Sequence, residues 1–121
     1  MAVIEDDLPL RNLYLTKLEL SGFSTRGASN GIDGLELTEA FQPDLILLDL
    51  LMPHMSGDEM LQQLRSKPWG ANIRVVILTN ISRDEAPHVL RFLSVDRYIV
   101  KAHYTPTQVI EVVDEVLRIK R

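Results

Sequence analysis

Short apolar runs alternate along the chain with stretches in which apolar residues recur every third or fourth position. Ala2–Glu5 (AVIE) opens with a brief run that predicts a strand. Leu8–Leu20 then places Leu10, Leu13, Tyr14 and Leu18 at helical spacing, with Gly22 as a stop. Phe23–Ala28 predicts a short strand, and Ile32, Leu35 and Phe41 mark a second helix that ends before Pro43. Leu45–Asp49 is the clearest strand of the first half, followed by a helix carrying Met60, Leu61 and Leu64. In the second half, Arg74–Thr79 (RVVILT) is β-branched and apolar, as a buried strand requires. Arg83–Leu93 is expected to be helical, with Pro87 tolerable only near its first turn. Tyr98–Lys101 (YIVK) is a fifth strand. Thr105-Pro106-Thr107-Gln108 forms a capping box with proline at the first helical position, and Val109, Val112, Val113, Val116 and Leu117 line one face of a last helix.

Strand followed by helix, five times over, argues for a parallel sheet with helices on both faces. The expected fold is therefore α/β and doubly wound, in a single domain spanning residues 1–121. A chain of this length can bury about two-thirds of its unfolded surface. At 45% hydrophobic and 25% charged residues, the composition is that of an ordinary globular protein. A formal net charge of −4 gives no electrostatic case for nucleic acid. The absence of cysteine excludes disulfides and thiolate metal sites and fits a reducing cytoplasm. No apolar run approaches the length of a membrane span, and the acids beginning at Glu5 are unlike a signal peptide.

One residue resists a purely structural account. In PDLILLDLLMP (Pro43–Pro53), Asp49 sits directly after four apolar residues and before three more. Burying a carboxylate costs several kcal/mol unless something pairs with it. In open parallel sheets, ligands bind beyond the carboxyl ends of the strands. Read at those ends, the chain offers Glu5, Asp6 and Asp7 after the first strand, Asp49 after the third, Thr79 on the fourth and Lys101 on the fifth. Clustered carboxylates want a shared proton or a cation, and oxygen ligands suit a hard ion such as Mg²⁺. A carboxylate beside such an ion can attack a phosphoryl group, whose charge a metal and a lysine neutralise while a hydroxyl bonds a further oxygen.

The motifs IEDD (Ile4–Asp7), PDLILLDLLMPHMSG (Pro43–Gly57), VVILTN (Val75–Asn80) and YIVKA (Tyr98–Ala102) together resemble the receiver domain of two-component response regulators, over essentially the whole chain. The resemblance implies a flavodoxin-like (βα)5 sandwich with strand order 2-1-3-4-5. It also implies that Asp49 is the phosphoacceptor, and that Glu5, Asp6, Asp49 and the backbone carbonyl of Leu51 hold Mg²⁺. Thr79 and Lys101 would bind the phosphoryl group, and Tyr98 would be the switch aromatic paired with Thr79. The implied partners are a histidine kinase or histidine phosphotransfer protein as donor and an unidentified downstream protein, with neither nucleic acid nor membrane. A phosphorylation-dependent homodimer is left open. Such a domain is no enzyme beyond catalysing its own phosphorylation and dephosphorylation. With no further module after Arg121, a stand-alone regulator and a receiver cut from a longer chain are both compatible.

Several positions depart from the family pattern. Ala102 replaces the usual proline after the lysine, so the bond between them is expected to be trans, because a non-proline cis bond costs about 2.5–4 kcal/mol. Asn80 stands where a small residue is common. Leu51 and Ile81 occupy the positions that tune dephosphorylation, and neither can orient a water. Ser94-Val95 replaces Gly-Ala before the fifth strand. Asp7 reads as a cap of the first helix, Asp44 as a solvated turn residue and Trp69 as packing at the pole opposite the acids. His54, His88 and His103 lack ligand-like spacing. Three other functions compete. A receiver-like interaction module would be independent of phosphate, but substitutions in the acids or Lys101 would favour it and none occurs. A haloacid-dehalogenase-type hydrolase wants a second acid where Leu51 stands. A flavin mononucleotide carrier wants a phosphate-cradling loop where three acids stand.

Overall fold

The computed structural model describes residues 1–118. Five strands, β1 (Ala2–Ile4), β2 (Arg26–Ala28), β3 (Leu45–Leu48), β4 (Arg74–Thr79) and β5 (Arg97–Val100), form one parallel sheet in the order β2-β1-β3-β4-β5. This is the strand order and doubly wound layering expected. The central strands β1 and β3 are buried along their whole length, which is why they read as unbroken apolar runs.

Side chains alternate between the two faces of the sheet, so the core divides in two. On one face, α1 (Leu8–Leu20) and α4 (Pro106–Arg118) bury Tyr14, Leu18, Val109, Val113 and Val116 against Val3, Leu45, Leu47, Val76, Leu78 and Ile99. On the other, α2 (Gly31–Phe41) and α3 (Gly57–Arg65) bring Met60, Leu61 and Leu64 against Ile4, Ile46, Leu48, Val75 and Ile77. The capping box at α4 forms as read: Thr105 Oγ1 accepts from the Gln108 N–H (3.2 Å), and Gln108 Oε1 accepts from the Thr105 N–H (2.8 Å). Asp7 caps α1 by accepting from the Leu10 N–H at 3.0 Å. Trp69 lies in a short 3₁₀ turn, Pro68–Gly70, half-buried against the core at the far pole.

The expectation of a helix over Arg83–Leu93 is corrected. Two short 3₁₀ turns, Arg83–Glu85 and His88–Phe92, occupy that stretch, so among the described residues four α-helices accompany the five strands. Pro87 falls in mid-segment rather than in a first turn. It cannot donate to the helical ladder, and it drives Ala86 into an extended conformation (φ −63°, ψ 145°). Several boundaries also contract. β2 begins at Arg26, leaving Phe23 to pack against the α1–α4 layer, and β3 and β5 end one residue short of Asp49 and Lys101. Among the described residues, no helix is long and apolar enough to cross a membrane.

Candidate functional site

The parallel ladder runs one residue past the strands and thereby fixes the acids. The Glu5 N–H donates to the Ala28 carbonyl (3.0 Å) and the Asp49 N–H to the Ile4 carbonyl (3.0 Å). Arg11 Nη1, from α1, donates to the Glu5 carbonyl at 2.7 Å. Behind Asp49 the backbone leaves no room for a side chain: a Cβ on Gly57 would lie 2.0 Å from the Asp49 carbonyl oxygen. The Gly57 N–H in turn donates to the Leu50 carbonyl (3.0 Å), holding the β3–α3 loop against the strand end. Each of these contacts restrains the main chain, so the carboxylates are positioned before any ligand arrives.

Glu5 and Asp49 are buried, Asp6 is exposed, and carboxylate oxygens of all three lie within 4.8 Å of one another. Lys101, half-buried just beyond β5, donates to Asp49 Oδ2 (3.1 Å) and to Glu5 Oε1. The second oxygen of Asp49 accepts from the Leu51 N–H at 3.3 Å. One ammonium therefore faces three acids. Burial pushes the Glu5 carboxyl up to about 7; the bond from Lys101 pulls it down, but the neighbouring Asp49 charge pushes it up again. Burial would lower Lys101, yet its bonds to Glu5 and the charge of Asp49 outweigh that and raise it. The set is short of positive charge. Three carboxylates of this geometry, with no nitrogen or sulfur donor among them, fit a small hard cation.

Thr79 is wholly buried at the end of β4, and its Oγ1 lies 3.5 Å from the Ile81 N–H as acceptor. Tyr98 packs its ring against the α2–α3 side of the core and donates its hydroxyl to the Ile81 carbonyl (2.7 Å). Thr79 and Tyr98 are thus joined through the backbone of one residue. Leu51 is 61% exposed beside Asp49, Asn80 is exposed, and the Lys101–Ala102 bond is trans within a short 3₁₀ turn. Every site residue expected from the strand ends lies at this pole.

Three residues escaped the sequence reading. Arg11 secures the Glu5 carbonyl. Arg83 stacks over the Tyr98 ring (6.0 Å) and donates to the Tyr98 carbonyl at 3.1 Å. Arg65, at the end of α3, donates to the carbonyls of Gly70, Ala71, Ile73, Leu93 and Ser94. No spacing rule announces them, because their partners are main-chain oxygens. Ser94 has φ +54°, a left-handed backbone conformation that glycine adopts with least strain.

A family profile described as the response regulator receiver domain matches residues 1–114. The chain is 39% identical over 79 residues to a hybrid signal transduction histidine kinase D of Dictyostelium discoideum, covering 65% of this chain and 5% of that protein. It is 37% identical over 81 residues to the DNA-binding dual master transcriptional regulator RpaA of Synechocystis, covering 67% of this chain and 34% of that protein. The chain thus spans about a third or less of these relatives. Among solved structures, the chemotaxis response regulator CheY4 of Vibrio cholerae superposes with a TM-score of 0.86 at 20% identity, over 95% of both chains.

Proposed function

Since this chain belongs to the response regulator receiver domain family, we infer that it is a phosphorylation switch in which Asp49 accepts a phosphoryl group from a histidine kinase or a histidine phosphotransfer protein. A carboxylate oxygen of Asp49 would form the new O–P bond as the N–P bond of a phosphohistidine breaks, the imidazole nitrogen leaving with the bonding pair. Lys101, already 3.1 Å from Asp49 Oδ2, would stay with the oxygens of the transferred group. The Thr79 hydroxyl would bond another of them. Glu5, Asp6, Asp49 and the Leu51 carbonyl would hold Mg²⁺, which supplies charge neutralisation at the transferring oxygens. Moving Thr79 would alter its contact with Ile81, and Tyr98 reads that residue through its hydroxyl. The altered surface would then be read by a downstream protein.

The observation that carries this reading is the buried Asp49 carboxylate, bonded to Lys101 and set among acids whose oxygens converge. Intact mass after incubation with acetyl phosphate and Mg²⁺ tests it. One phosphoryl gain is expected, lost without metal and lost in Asp49→Asn. A gain that survives Asp49→Asn would overturn the assignment. The same mass assay times the decay of the phosphorylated form. Leu51 and Ile81 offer no polar group to steer a water, so slow self-dephosphorylation is expected, and a half-life of seconds would contradict it.

A further inference from the structure

The turn that carries Glu5 and Asp6 is tied down through Glu5. The Glu5 N–H donates to the Ala28 carbonyl of β2, the Glu5 carbonyl accepts from Arg11 Nη1 at 2.7 Å, and Glu5 Oε2 accepts from the Asp7 N–H at 3.3 Å. The exposed Asp6 side chain makes no hydrogen bond or ion pair among the described residues. Its place is therefore set by the peptide that joins it to Glu5, and the carbonyl of that peptide is the one Arg11 holds. Glu5, Asp6 and Asp7 all stand close before Arg11 in the chain, yet its guanidinium enters no ion pair among the described residues and bonds a neutral main-chain oxygen. The neighbouring strand makes room for this. A Cβ on Gly27 of β2 would lie 3.0 Å from Arg11 Cδ and 3.3 Å from its Cγ, so the arginine stem crosses the strand where a side chain would otherwise stand. Gly27 has no positive φ, so space and not backbone freedom is what the glycine provides.

Mg²⁺ demands near-ideal ligand geometry, whereas Ca²⁺ accepts more ligands in less regular arrangements. How well a set of carboxylates tells the two ions apart therefore depends on how firmly it is held. We propose that Arg11 is a positioning residue that fixes the Glu5–Asp6 peptide, and thereby sets the preference of the acid cluster for Mg²⁺ over Ca²⁺. This role requires the metal proposed above at Glu5, Asp6 and Asp49; it does not require phosphoryl transfer. Charge and positioning act in opposite directions here, which separates them. A cation beside a metal site repels every divalent ion alike, so its loss alone should tighten Mg²⁺ and Ca²⁺ together. Loss of a positioning contact should weaken the ion that needs strict geometry and largely spare the other.

The test is an NMR titration of the ¹⁵N-labelled full chain with Mg²⁺ and, separately, with Ca²⁺, followed at the amides of Glu5, Asp6 and Asp49. Arg11→Met keeps an aliphatic stem over Gly27 and removes the guanidinium. It should weaken Mg²⁺ binding about tenfold and Ca²⁺ binding about twofold or less. Arg11→Lys, which keeps a charged donor, should recover part of the Mg²⁺ affinity. Tighter binding of both ions by Arg11→Met, or an equal change in both, would overturn the proposal. If Arg11→Met loses the spectrum of a folded chain, Gly27→Ala decides instead. That variant leaves every charge in place and presses on the arginine stem, so the ratio of Mg²⁺ to Ca²⁺ affinity should fall about twofold. An unchanged ratio there would likewise overturn the proposal. A wild-type chain that binds neither ion would remove the metal reading and this role with it, whereas wild-type binding with an unchanged ratio in the variant would remove the role of Arg11 alone.

Discussion

Strands β3 and β4 lie side by side and end at the same pole, yet the chain leaves them in different ways. After β3 it closes a tight loop over Asp49 and enters α3, which buries Met60, Leu61 and Leu64 completely. After β4 it makes two short turns around Pro87 and buries Leu90, still 8% exposed. The first connection is fixed by close packing, down to a glycine with no room for a methyl group. The second is held by polar contacts from arginines and a tyrosine hydroxyl. The contrast separates two tasks. The carboxylate proposed to react sits on the part that cannot easily move, and Ile81 and Arg83, tied to Tyr98, sit on the part with less apolar anchoring.

This contrast can be broken at several points. The largest effect is expected for Gly57→Ala, whose methyl would collide with the Asp49 carbonyl. A loss of about 3 kcal/mol is expected by urea denaturation, together with impaired phosphorylation. A neutral result would mean that the β3–α3 loop is looser than its contacts imply. Leu61→Ala should cost about 3 kcal/mol, and Leu90→Ala about half as much, since a thinly packed turn can close around the gap. Equal losses in the two variants would erase the distinction between the connections.

Protonation gives a smaller effect. Glu5 titrates near 7 in the folded chain against an ordinary value of 4.5, so the fold binds that proton more tightly than the unfolded chain does. Without metal, this contribution to stability is fully present below pH 4.5 and is lost as pH rises through about 7. Mg²⁺ held as proposed would compete with the same proton, so its affinity should rise between pH 6 and pH 8. Denaturation midpoints with and without Mg²⁺ check both statements, and Glu5→Gln should flatten the metal-free pH dependence in that window. The smallest effect is expected for Pro87→Ala. Restoring an N–H there should raise the helical circular dichroism slightly and change stability by about 1 kcal/mol or less. An unchanged spectrum would show that the segment's other residues, and not Pro87, prevent the helix.

The sheet and the cluster of acids and lysine at its carboxyl end were legible in the sequence because each depends on local order. Buried parallel strands read as apolar runs, and whatever follows such a run stands at the pole where ligands bind, which is how Glu5, Asp49 and Lys101 were found. The α4 cap was legible because both partners lie within four residues. The segment Arg83–Leu93 misled because its apolar spacing suits a helix, while one proline outweighs that spacing when the tertiary packing against it is thin. The length of β2 was missed because Phe23 is apolar for the sake of the α1–α4 layer and not of a strand. Arg11, Arg65 and Arg83 were invisible because each bonds backbone oxygens, which every residue carries and no residue type announces.

Arg65 has a mechanical consequence. Its guanidinium grips Leu93 and Ser94 at the far end of the β4–β5 connection and, with the same head, the carbonyls of residues 70, 71 and 73. The connection is therefore clamped at one end to the base of the molecule, while its other end begins beside Thr79. A displacement entering at Thr79 is therefore expected to be taken up inside the segment, between its tie to Tyr98 at Ile81 and Arg83 and its clamp at Ser94. The stiffness of that segment would then depend on Arg65, at the end opposite Thr79. Arg65→Met should soften it, and faster amide exchange across residues 83–93 would be the sign.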